Sequence, residues 1–261
     1  MKNFGRTEVS KRAKFAGLML LALLFLGCDK EDAPDCLQTS GKIIEKEIEV
    51  SPFEEIIVYD RINLFIEQGP QQKLLVKSGK NIIEDISADV VDNRLILKNN
   101  NSCNLLRDYH ITDVYVTVPN LVWLQNAGNT VIKSVGELHF PDIWLRSINQ
   151  EEKKGVYTDG DFELHLISES IRVTGDDFSN FFLSGNTKYL NLFIAAGDGR
   201  VEAQDLVAET VEVMHRGTNK LFVNPQQVLK GEIRSTGDVI SVNRPLVVEV
   251  ESFYSGKLYF E

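Results

Sequence analysis

The stretch LNLFIAAGDGRVEAQDLVAETVEVMHRG, residues 190–217, decides the fold class. Leu190, Leu192 and Ile194 alternate with other residues, Gly197 and Gly199 interrupt, and alternation resumes at Val211 and Val213 before Gly217. A period of two without helical spacing reads as strands that bury one face. The pattern recurs in both directions along the chain. Glycines stand at Gly128, Gly155, Gly175, Gly197, Gly217, Gly237 and Gly256, in steps of 27, 20, 22, 20, 20 and 19 residues. Ahead of them lie Ile143 and Leu145, Leu164 and Leu166, and Val248 and Val250. Behind them lie short pieces such as Val156-Tyr157, Leu221-Phe222-Val223 and Val239-Ile240-Ser241-Val242. A unit of about 20 residues with two or three strands of three to five residues and tight turns has the length of one coil of a β-solenoid. Such coils stack at ~4.8 Å and bury their apolar faces on one another. A β-sandwich or propeller also accommodates regularly spaced short strands, but there is no Trp-Asp pair, and a propeller blade needs about 40 residues. Glycine recurring at one phase fits a turn of positive φ or room for a neighbouring coil. Phe178, Phe181, Phe182 and Phe193 are expected to be stacked core aromatics, with an aromatic ligand platform as the alternative.

Upstream, residues 42–119 also read as strands: Ile43 to Val50, Ile56 to Tyr59, Ile62 to Glu67, Lys73 to Lys77, Arg94 to Lys98 and Val114 to Val118. Gly69-Pro70, Ser78-Gly79 and Asp92-Asn93 are the turns between them. Asn81 to Ser87 alone looks helical, over a single turn. The expected fold is therefore all-β, a solenoid of roughly 20-residue coils preceded by an N-terminal β-strand region stacked on it.

Residues 1–14 carry Lys2, Arg6, Lys11, Arg12 and Lys14 against Glu8, and an apolar run of 12 residues follows from Phe15 to Leu26. That is short of the roughly 20 residues of a spanning helix and reads as a secretion signal. Phe25-Leu26-Gly27-Cys28 resembles the lipobox of bacterial lipoproteins, with Gly27 as the small residue before the lipidated Cys28 and Phe25 where Leu is usual. The resemblance implies lipidation, palmitate included, at Cys28. The expected organisation is a signal peptide at 1–27, a charged tether at 28–41 and a single domain at 42–261. Residues 1–27 hold five basic and one acidic side chain, so their removal takes the formal charge from -10 to -14. An acidic surface is repelled by anionic headgroups, so the membrane partner is reached through the lipid. Asp29-Lys30-Glu31-Asp32 is either a solvated tether or an acid-rich signal for export to the outer face of the outer membrane. The same charge argues against a nucleic-acid partner. Cys36 and Cys103 remain for an oxidising compartment, as a disulfide or as two free thiols.

Several constellations bear on chemistry. Asp159/Asp161, Asp176/Asp177, Asp198 and Asp238 are turn residues beside glycine, or aligned carboxylates for acid–base work or Ca²⁺. His110, His139, His165 and His215 lack ligand-type spacing for zinc. Neither Gly-x-Ser-x-Gly nor a phosphate loop occurs, so no cofactor and no enzymatic activity is expected. Trp123 and Trp144 lie about one coil apart. They are core residues or a stacked pair for sugar rings.

The ordered set Phe53, Ile56, Val58, Ile62, Leu64, Ile66, Gln68-Gly69, Leu75-Val76, Ile83, Val91, Asn93, Leu95-Ile96-Leu97 and Val114-Tyr115-Val116-Thr117-Val118-Pro119-Asn120-Leu121 resembles the auto-transporter adhesin head GIN domain family. Ser184 to Asn186 and Thr236 to Asp238 continue the likeness to the C-terminus. The resemblance implies a right-handed, β-helix-like domain on secreted or lipid-anchored proteins and a role in adhesion. Ser168-Glu169-Ser170 and Asn149-Gln150-Glu151-Glu152 replace Gly-rich turns, which implies a bulge or loop there. The expected function is non-catalytic binding at the cell envelope, to a glycan or an extracellular-matrix ligand. A polysaccharide-degrading accessory protein and a self-associating envelope protein are the alternatives.

Overall fold

The structure is a computed structural model that describes residues 39–101, 111–149 and 154–261. Cys28, Cys36, Cys103 and His110 lie outside the described residues, as do the signal peptide and most of the tether. Strand makes up 61% of what is described, in one strongly curled sheet. The N-terminal strands are β1 (Ile43–Glu47), β2 (Glu55–Tyr59), β3 (Asn63–Gln68), β4 (Lys73–Gly79), β5 (Ile86–Val91), β6 (Arg94–Asn99) and β7 (Asp113–Val118). Then come β8 (Trp123–Ala127), β9 (Ile132–Ser134), β10 (Asp142–Ser147), β11 (Phe162–Asp177), β12 (Phe181–Gly197), β13 (Val201–His215) and β14 (Leu221–Ile233). The last are β15 (Val239–Ser241), β16 (Val247–Ser252) and β17 (Leu258–Phe260). A single 3₁₀ turn, Ile83–Asp85, falls inside the segment with helical character, and β5 follows it directly.

Among the described residues antiparallel pairs are confined to the N-terminal region: β1 with β4, β4 with β7, and β5 with β6. From β8 onward the pairing is parallel, each rung lying on the one before it. Three inward columns run through these rungs. Leu124, Leu145, Val173, Leu192 and Val213 form one; Ile143, Ile171, Leu190, Val211 and Leu229 another; Phe162, Phe181, Val201, Leu221 and Val239 the third. All are buried in one continuous core. Columns form because parallel pairing sets equivalent positions above one another, so each alternating apolar run meets its own kind.

The strands of the repeat are longer than the three to five residues expected. β11 to β14 are 13–17 residues long. In β11 and β12 two inward-alternating arms are joined by a change of phase. In β11 the buried positions are Phe162, Leu164 and Leu166, then Ile171 and Val173. The parity switches across Ser168–Ser170, where the amides of Glu169 and Ser170 both donate to the Pro141 carbonyl. Those residues therefore turn a corner within the strand, and the register shift of β11 falls later, between Gly175 and Asp176.

The aromatic expectation needs correction. Phe181 is fully buried and stacks on Phe162 with centroids 4.7 Å apart, but Phe178 and Phe182 are exposed and Phe193 is half-buried. Alternation decides this: Phe181 points inward, so Phe182 must point out. The repeated glycines serve close approach more than positive φ. A methyl group at Gly237 would overlap the Asn219 carbonyl oxygen and one at Gly256 the Gly237 carbonyl oxygen, whereas neither residue has positive φ. Gly155 and Gly197 do have it.

Candidate functional site

The outer surface of the sheet carries a column of its own. Pairing aligns Arg94, Glu55, Trp123, Trp144 and Arg172 on successive rungs from β6 through β2, β8 and β10 to β11. Two residues along the strands, and so on the same face, Ile96, Ile57, Gln125, Arg146 and Thr174 form a second column. Trp123 and Trp144 are thus direct neighbours, although not in the main core. Trp123 packs with Ile57 and Ala127 in a small separate cluster, against which Tyr59, Ile96, Trp144 and Val156 rest. Trp123 is 6% exposed; Trp144 is half-buried and donates its Nε1–H to Thr174 Oγ1 at 2.9 Å.

Guanidinium groups cover both indoles. Arg94 Cζ lies 4.0 Å from the Trp123 centroid, Arg146 Cζ lies 5.3 Å from Trp123 and 4.5 Å from Trp144, and Arg172 Cζ lies 5.0 Å from Trp144. This alternation of cation and ring is a run of cation–π contacts. It occupies ring faces that a sugar would otherwise meet. Arg94 is held by Glu55, whose Oε2 accepts from both Nε and Nη2. Burial lowers the Arg146 pKa, as does the Arg94 charge, and Asp176 opposes them.

A groove of about 360 Å³ is lined by Tyr59, Arg94, Trp123, Arg146, Asn149 and Val156. At Asn149 and Val156 it meets a second, of about 570 Å³, bounded by Tyr157, Asp159, Asp176, Asp177 and Phe178. Asn149 joins the two: its amide donates to both Asp176 oxygens, at 3.1 and 3.2 Å, and its Nδ2 donates to the Val156 carbonyl. The register shift at Gly175/Asp176 and the positive φ of Asp177, +137°, set the two carboxylates on this rim. Asp177 Oδ2 accepts from the Thr158 hydroxyl at 2.9 Å. Desolvation raises the Asp159 and Asp176 carboxyls above the ordinary range. For Asp159 the charges of Asp60, Asp177 and Asp161 add to it; for Asp176 the Asn149 hydrogen bond and Arg146 oppose. Tyr157 and Phe178 stand beside the carboxylates, 49% and 60% exposed.

The other acids of the sequence reading do turn chemistry one rung apart. Asp161 Oδ1 accepts from the Asn180 amide, Asp238 Oδ1 from the Lys257 amide and Asp198 Oδ1 from the Thr218 hydroxyl. His215 is fully buried, and its Nε2–H donates to the Asn219 carbonyl at 2.9 Å. His139 and His165 both face Glu137, at 3.4 and 3.7 Å, and His165 Nδ1 lies 3.0 Å from Ser184 Oγ. This serine, imidazole and carboxylate stand on an exposed ladder, with Glu137 61% exposed. Among the described residues no three His, Cys, Asp or Glu side chains converge as a metal site. No described helix is long and apolar enough to cross a membrane. No sequence motif marks the arginines of the groove; the near neighbours Trp144 and Arg146 were the available signal.

The profile of the "putative auto-transporter adhesin, head GIN domain" family matches residues 52–245. The chain belongs to this family. The head GIN fold is also found in solved structures with low sequence identity. A "putative adhesin" from Bacteroides fragilis superposes with a TM-score of 0.73 at 20% identity, over 85% of this chain and 99% of that one. A "putative lipid binding protein" from Parabacteroides distasonis gives 0.60 at 16% identity, over 85% and 97%. A "putative adhesin" from Parabacteroides merdae gives 0.59 at 14% identity, over 85% and 97%. No curated protein matches the chain. Within the head GIN domain, the profile covers the whole basic groove and its acidic rim.

Proposed function

We propose that this head GIN protein is a lipid-anchored envelope protein with a non-catalytic, adhesive binding role, held at the outer membrane through Cys28 and exposed on the cell surface. In this reading residues 1–27 are a cleaved signal peptide, and residues 28–41 are a tether fastened by a Cys36–Cys103 disulfide. Residues 42–261 are one domain whose rungs wind as a right-handed, β-helix-like solenoid. Parallel rungs offset by 17–21 residues from β11 to β16 support the winding. The lipobox-like Gly27-Cys28 and the family's name support the location.

The observation that carries the binding role is the open groove from Trp123 to Phe178. It crosses several rungs, exposes aromatic rings beside carboxylates and guanidinium groups, and meets an extended ligand lengthwise. The ligand class it fits best is a glycan, with ring faces on Tyr157 and Phe178 and hydroxyls on Asp159 and Asp177. The test is a glycan and matrix-protein binding screen on residues 28–261 with Cys28→Ser, with product analysis on every polysaccharide. Saturable binding that Tyr157→Ala with Phe178→Ala weakens by about tenfold, without cleavage, is expected. Silence across the panel overturns the reading. One observation favours an enzyme acting on polysaccharide: the raised Asp159 and Asp176 carboxyls suit a general acid. New chain ends in the product analysis would put that reading first.

A further inference from the structure

Arg146 differs from Arg94, Asp176 and Asp177 in the groove. Arg94 has its carboxylate in Glu55, Asp176 has the Asn149 amide and Asp177 has the Thr158 hydroxyl. Among the described residues Arg146 has neither a hydrogen bond nor a carboxylate within ion-pair distance, and its Nε is buried without a partner. What holds it is aromatic: it lies over Trp144 and close to Trp123, which fixes the plane of the guanidinium and leaves its donors unspent. Arg94 adds positive charge at the same spot and Asp176 offsets part of it, in a chain of formal charge -10.

A fixed planar fork with unmet donors in a partly dry groove is built for a planar anion that accepts two hydrogen bonds. A carboxylate fits this. The neighbourhood says what bears it. Along the groove, beyond Asn149, exposed Tyr157 and Phe178 alternate with carboxylates that accept hydroxyl hydrogens, a surface for pyranose rings. We infer that Arg146 is the anion-binding position of the groove, and that the ligand is an acidic glycan whose ring carboxylate docks there while neighbouring sugars lie over Tyr157 and Phe178. The inference rests on the glycan-binding reading and names the class of glycan. Arg172, on the adjacent rung β11, and Arg94, three rungs away on β6, extend positive potential along the same face.

The test is calorimetric titration of residues 28–261 with Cys28→Ser, using oligogalacturonate, oligoalginate and hyaluronan fragments, each beside its carboxyl methyl ester. Near-ultraviolet circular dichroism from Trp123 and Trp144 checks that every variant is packed. At least one free acid is expected to bind about tenfold or more tightly than its ester and to weaken as salt rises. Arg146→Gln should erase that preference. Arg146→Lys, a point charge without the fork, should keep part of it. If acid and ester bind alike, or if Arg146→Gln retains the preference, the anion position is refuted while glycan binding stands. If no acid or ester binds but neutral glycans do, the acidic class is refuted. If nothing binds, both readings fall together.

Discussion

The Gln68 side chain clasps the backbone of His139 in both directions, Nε2 donating to its carbonyl at 3.0 Å and Oε1 accepting from its amide at 2.7 Å. The same Nε2 donates to the Pro119 carbonyl. The next residue, Gly69, donates its amide to the Val118 carbonyl, and a methyl group there would come within 2.6 Å of Thr117 Cγ2. The Gln-Gly turn and the Val-Thr-Val-Pro strand, which carry the family likeness, are thus in contact. Together they fasten the N-terminal region to the rungs. Gln68→Ala leaves three backbone groups without this partner and should lower stability by about 1–2 kcal/mol. Urea unfolding measures it, and a loss below about 0.5 kcal/mol would refute the clasp.

Close approach between rungs predicts an asymmetry among glycines. Gly237→Ala drives a methyl group into the Asn219 carbonyl and the His215 ring, and should cost about 3 kcal/mol or more. Gly136 has φ of +76° but nothing within 4 Å of an added methyl group. Gly136→Ala should therefore cost only the left-handed penalty of about 1–2 kcal/mol. Equal midpoint shifts for the two variants would show that backbone conformation, not proximity, selects the glycines.

The Phe162–Phe181 stack sits where the third inward column begins to run through the long strands. Phe181→Ala should destabilise by about 3–5 kcal/mol, whereas Phe182→Ala, one residue along and exposed, should stay within about 0.5 kcal/mol. Thermal unfolding of the pair checks the inward–outward assignment directly.

His215 sets a pH dependence. Burial depresses its pKa, against the opposing hydrogen bond to Asn219 and the Asp238 charge. The unfolded chain therefore takes up a proton near the ordinary value of 6.5 while the folded chain stays neutral. Stability from this group is complete above that value and is lost as the pH falls below it. Asp159 and Asp176, with raised values, contribute with the opposite sign: their share declines as the pH rises through their own range. Comparing wild type with His215→Gln at pH 7 and pH 5 isolates the histidine. The gap in unfolding free energy should narrow on acidification, and a gap that widens would refute the assignment.

Ser184, His165 and Glu137 present triad-like side chains without a triad's order, because the serine meets Nδ1 and the carboxylate stands in water. A fluorophosphonate probe should leave Ser184 unlabelled, and Ser184→Ala should leave ligand binding unchanged. Stoichiometric labelling at Ser184 would reverse this conclusion and favour an enzyme.

Alternation in Leu190, Leu192 and Ile194 and in Val211 and Val213 was enough to decide strands, buried faces and a unit of about 20 residues, because a period of two is a local property of the chain. The Gln68-Gly69 and Val114–Pro119 segments were enough to indicate the family. Two features lay beyond that reach. The change of phase at Ser168–Ser170 merged two short strands into one, since a corner leaves no gap in hydrogen bonding for a turn motif to mark. The groove lay further still: Arg94, Trp123, Trp144, Arg146 and Arg172 are scattered over 79 positions and meet only through register. Period two states which way a side chain points. Which residue it then stands beside depends on loop lengths and on how each rung settles on the last, and only the tertiary structure decides that.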